Sequence, residues 1–206
     1  MKKILQILTF TALVISTSSH ALEITPLLGY RGGGEFIDET NDKKHTIVSS
    51  STYGFIISGE PYSGGKQFEL YYSHQDSDIN SISVTPPSVS SGTANIPLSV
   101  DYLHFGGTTP ISKTDKLHSF VSGGLGFTYL SPDFTGFQSD LRASLSIGIG
   151  AKYALTKRIA LRLESRVLAT MFNNNSAIFC NGGCTIKVNG NFFTQGEVFA
   201  GVAFKF

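Results

Sequence analysis

Phe192-Phe-Thr-Gln-Gly-Glu-Val-Phe-Ala-Gly-Val-Ala-Phe-Lys-Phe206 is the stretch on which the fold turns. Side chains of an extended segment alternate between two faces, so Val198, Ala200, Val202, Phe204 and Phe206 share one side. Gln195, Glu197, Gly201, Ala203 and Lys205 share the other. Phe199 alone breaks the polar side. A strand apolar on one face, with charges and glycines on the other, suits a wall between lipid and a small polar interior.

The same alternation recurs upstream. In 159–172, Ile159, Leu161, Leu163, Val167, Ala169 and Met171 lie with Ser165 on one face, opposite Arg162, Glu164 and Arg166. In 140–154, Leu141, Ala143, Leu145, Ile147, Ile149, Ala151 and Tyr153 oppose Arg142, Ser144, Ser146, Gly148, Gly150 and Lys152. Turn residues divide the chain into eight extended segments: 23–31, 52–59, 67–75, 96–109, 117–130, 140–154, 159–172 and 192–206. The connections 32–51, 76–95, 131–139 and 173–191 are polar and mostly long, while 60–66, 110–116 and 155–158 are tight. Alternating long and short connections with an even strand number predict an all-β, eight-stranded antiparallel up-and-down transmembrane barrel. A soluble sandwich, with these apolar faces turned inward, is the competing geometry.

Two segments fit less well. Segment 117–130 puts Phe120 and Leu130 opposite Val121, Leu125, Phe127 and Tyr129. In 96–109, Leu98, Val100 and Tyr102 face one way and Leu103 and Phe105 the other, which a bulge near Tyr102–His104 would repair. Tyr30, Phe55, Tyr72, Tyr102, Tyr129, Tyr153, Phe172, Phe192 and Phe204 lie mainly near segment ends, as interfacial girdles do.

The start of the chain has a different character. Met1-Lys2-Lys3, the apolar stretch 4–15 and Ser19-His20-Ala21 read as a cleaved secretory signal peptide, leaving 22–206 as one barrel domain. The formal charge is only +1, which argues against nucleic-acid binding and against disorder.

With this phase the interior charges are Glu23, Arg31, Glu69, Asp101, Arg142, Lys152, Arg162, Glu164, Arg166, Glu197 and Lys205, five acids and six bases. Near-neutrality is what a packed interior requires, because an unpaired buried charge costs several kcal/mol. Eight strands enclose a space that side chains can fill, so a plugged lumen is expected, with a narrow channel as the alternative.

Few residues suggest chemistry. Cys180 and Cys184 flank Asn-Gly-Gly in the last long loop. In an oxidising compartment they are expected to form a disulfide, worth about 2 kcal/mol for so short a loop. His74, Asp76 and Ser77 cluster at an extracellular strand end; His118 and Ser119 point to opposite faces; His104, two residues before Gly106, is expected to have no serine partner in phase. No catalytic residue, cofactor or metal is expected.

Gly29-Tyr30-Arg31, Gly123-Gly124-Leu125-Gly126 and Val202-Ala203-Phe204-Lys205-Phe206 resemble the small outer-membrane β-barrel family, which includes the outer membrane protein A transmembrane domain and the OmpX/Ail and OmpW types. The resemblance implies the outer membrane of a Gram-negative cell, contact with its lipid and lipopolysaccharide, and periplasmic chaperones and the barrel-assembly machinery as biogenesis partners, with Phe204 and Phe206 as the C-terminal assembly signal. With the chain stopping at Phe206, the peptidoglycan-binding domain of outer membrane protein A is expected to be absent. Members of the family range from structural and adhesive proteins to narrow channels for hydrophobic compounds. The expectation is a non-enzymatic monomer with a structural or surface-interaction role. A channel for small solutes is the alternative, and a lipid A-modifying hydrolase comes third.

Overall fold

Outward Leu, Val, Ile and Phe at every second position need a lipid-like neighbour, while the residues between them need one another; closing the sheet on itself meets both demands. A computed structural model describes residues 22–38, 43–60, 64–84, 92–133, 138–172, 177–178, 186–187 and 192–206. The barrel strands are β1 (Leu22–Gly33), β2 (Ser50–Gly59), β3 (Gln67–Val84), β4 (Gly92–Lys113), β5 (Leu117–Pro132), β6 (Asp140–Ala154), β7 (Ile159–Met171) and β8 (Phe192–Lys205). Each pairs antiparallel with its chain neighbours, and β1 with β8 shuts the ring through Arg31↔Glu197 and Ile24↔Phe204. No helix among the described residues is long and apolar enough to cross a membrane, which leaves a strand-built crossing untouched. Residues 1–21, expected to be a signal peptide, and Cys180 and Cys184, expected to form a disulfide, lie outside the described residues.

The wall is apolar outside. Leu28, Leu125, Phe105, Ile147, Leu163 and Val198 are all more than half exposed. Arg162, Glu164 and Arg166 are buried, so the arrangement is inverted relative to a water-soluble sandwich.

Three features differ from the sequence reading. First, β4 runs through Tyr102–His104 in unbroken register with β5, and the irregularities fall at Pro110/Ser112 and Ile79/Ile82 instead. Leu98, Val100 and Tyr102 therefore face the interior with His104, and Asp101 faces outward beside Tyr129. Tyr72 Oη and His74 Nδ1 each lie 2.8 Å from Asp101 Oδ1, so the carboxylate is satisfied on the outer wall rather than in the lumen. Second, Tyr102 and Phe172 are buried inside and do not belong to a girdle.

Third, much of the expected loops is strand. β3 and β4 run to 18 and 22 residues, well beyond the 9–11 that cross a bilayer. They project as a ribbon joined by a hairpin, Glu35–Asp38 with Lys43–Ile47, through Thr46↔Asn80 and Ile47↔Ile79. Ile47, Ile79 and Ile96 from this projection are buried in one cluster with Leu98, Val100, Leu130, Leu168, Phe172 and Phe193. The ribbon thus caps the barrel's long-loop end, and beneath it these apolar side chains mix with buried Gln75, Thr128, Thr170 and Gln195.

Candidate functional site

The interior is a stack of layers. Nearest the short turns, Lys152 Nζ donates to Glu23 and, at 2.7 Å, to Gln67 Oε1, under the Phe120 ring. Above it, Arg162 spans Glu69 (2.6 and 3.1 Å) and reaches Glu164 (2.9 Å through Nε). Arg166 closes the square at 2.6 Å to Glu164 and 2.9 Å to Glu69, while Ser122 donates to Glu164 at 2.6 Å. Planar guanidinium forks suit this doubly shared geometry, which an ammonium group would not reproduce.

Next, Glu197 accepts from Arg31 (2.9 Å), Thr52 (2.9 Å), Tyr71 (2.5 Å) and Ser73 (3.2 Å). Arg166 stacks over the Tyr71 ring at 4.3 Å and Arg31 over Tyr102 at 4.7 Å, which ties this layer to its neighbours. Tyr102 Oη then bonds Gln195 at 3.0 Å, beneath the apolar cap. Four acids (Glu23, Glu69, Glu164, Glu197) face four bases (Arg31, Lys152, Arg162, Arg166), so the interior ion pairs balance. Among the described buried side chains, only Thr25 Oγ1 has no hydrogen-bond partner.

Two expected interior charges sit at the ends. Arg142 bonds Asp140 at 2.9 Å on the long-loop rim, half-buried, and Lys205 is exposed at the short-turn mouth. Phe204 and Phe206 are exposed on the last strand's outer side.

The histidines are placed as follows. His74 lies on the outer wall with Nδ1 2.8 Å from Asp101 and Nε2 3.1 Å from Asp76. Ser99 bonds Asp76, and Ser77 donates to the Val48 carbonyl, so neither hydroxyl is held by the imidazole. A hydrolase needs a nucleophile within hydrogen-bond reach of its base, and this arrangement does not supply one. His104, contrary to the sequence reading that it has no serine partner, has two: Nδ1 lies 2.9 Å from Ser146 and Nε2 2.8 Å from Ser144. Both serines belong to β6, one strand beyond β5. The ring reaches them because Gly124 and Gly126 leave β5 bare there; a Cβ on Gly126 would lie 2.9 Å from the imidazole Cδ2 and 1.9 Å from the Leu103 carbonyl. With both nitrogens engaged and the residue 1% exposed, His104 clamps the wall. No group of three or more metal-ligating side chains occurs among the described residues.

No family model matches the chain, and no curated protein matches it in sequence. Its fold is similar to that of Neisserial surface protein A, at TM-score 0.55 and 13% identity over 92% of this chain and 98% of that one. It is likewise similar to the outer membrane protein OprG of Pseudomonas aeruginosa, at TM-score 0.53 and 14% identity over 91% of this chain and 96% of that one. The fold is that of the small outer-membrane barrels.

Proposed function

We propose that the chain is a non-enzymatic integral outer-membrane protein whose work is done at its extracellular face, in a structural or surface-interaction role, and not by transport through its lumen. The observation that carries this reading is the filled interior: three charged layers and an apolar cap succeed one another along the axis. An eight-stranded ring has little room left once its interior side chains are this large. On this reading a cleaved leader sends the chain across the inner membrane, and Phe204 and Phe206 are read by the assembly machinery after periplasmic chaperones deliver it. The monomer then displays the β3–β4 ribbon above lipid and lipopolysaccharide. Planar-bilayer recording of the purified protein tests the proposal. A silent bilayer is expected, and steady unitary conductance that saturates with one solute would instead establish the channel.

A further inference from the structure

We infer that the short-turn mouth of the barrel binds a phosphate-class oxyanion. A cavity of about 210 Å³ opens there, room for more than a single water. Five cations line it, Lys113, Lys152, Lys157, Arg158 and Lys205, with His118 beside them. Among the described lining residues the acidic ones are Glu23 and Glu60, and both are engaged: Glu23 holds Lys152, and Glu60 accepts from the Gly65 amide at 2.8 Å. Lys113, Lys157, Arg158 and Lys205 enter none of the ion pairs formed among the described residues.

This imbalance is local. The layers above are matched pair for pair, and the whole sequence carries a formal +1, so the mouth holds a concentrated positive excess. The backbone that carries it is hydrogen-bonded. The Thr156 hydroxyl accepts from the Arg158 and Ile159 amides at 3.1 and 3.0 Å, shaping the turn that carries Lys157 and Arg158. The Ala154 amide bonds the Lys116 carbonyl at 2.7 Å and the Lys205 amide bonds the Arg158 carbonyl at 2.8 Å, lacing three chain segments together. Like charges gathered around one cavity repel, and a multivalent oxyanion relieves that repulsion. A guanidinium fork among ammonium groups favours phosphate oxygens. The cavity admits a diphosphate-sized group or the headgroup phosphate of an anionic phospholipid.

The test uses the full mature protein in nanodiscs, reading amide NMR shifts of His118, Thr156 and Arg158. Inorganic pyrophosphate is titrated into phosphatidylcholine discs, and phosphatidylglycerol replaces part of the lipid in a second series without pyrophosphate. Saturable shifts at these amides are expected, from pyrophosphate if the source is a free anion or from phosphatidylglycerol if it is a lipid. Lys157→Ala/Arg158→Ala weakens the effect by about tenfold, as loss of charge-assisted contacts does. Lys113→Ala, on a different turn, weakens it less, and Arg142→Ala at the opposite end leaves it unchanged. Shifts that never saturate with either probe, or that survive in full in both the double variant and Lys113→Ala, overturn the inference.

Discussion

Glu197 shows what a single residue does inside this wall. Its carboxylate takes hydrogen bonds from Arg31, Thr52, Tyr71 and Ser73, which together use the acceptor capacity that an ionised carboxylate has. Glu197→Ala would leave the Arg31 guanidinium buried without its counter-ion, a loss of about 3–5 kcal/mol. Urea-driven unfolding from lipid vesicles measures it. Arg31→Met combined with Glu197→Leu is expected to recover most of that loss, because removing both charges leaves nothing unpaired. A double variant as unstable as Glu197→Ala would show that packing, and not the stranded charge, sets the cost. That Glu197 points inward is legible from the alternation of the last strand. Its partner Arg31 is not, since the two lie 166 positions apart and meet only because β1 and β8 close the ring.

At the scale of the strand, β7 alternates apolar-out and charged-in from Leu161 to Val167, Ser165 apart, and sequence reading places both faces. Leu163→Arg, at mid-height on the lipid side, is expected to cost about 2–4 kcal/mol, whereas Leu155→Arg in the short turn costs about 0–1. The same vesicle unfolding assay compares them, and equal penalties at the two depths would argue against a lipid-facing strand. β4 was harder to read for a physical reason. The rule of polar inside and apolar outside holds only where the interior is charged, and beneath the ribbon it is lined by Leu98, Val100, Leu130 and Leu168. Apolar residues on both faces then hide the phase, which invites a bulge at Tyr102–His104 that the chain does not have and turns Asp101 the wrong way. The polar stretches 32–51 and 76–95 look like loops in composition, yet their pairing comes from strands that continue past the bilayer.

For the whole molecule, the decisive property is which side of the ring meets lipid. The chain contains no tryptophan, so a single introduced indole reports its own surroundings without background. Phe105 and Phe127 are exposed outward on adjacent strands, while Phe120 and Phe199 are buried within. Aromatic replacement disturbs packing less than a charge or a truncation would. The central measurement is fluorescence quenching of the Phe105→Trp, Phe127→Trp, Phe120→Trp and Phe199→Trp proteins in vesicles whose acyl chains carry bromine. The first two are expected to be quenched strongly by the brominated lipid and the last two hardly at all; strong quenching of Phe199→Trp and Phe120→Trp, with Phe105→Trp and Phe127→Trp untouched, would contradict a barrel that turns its grease to the membrane and its ion pairs to the axis.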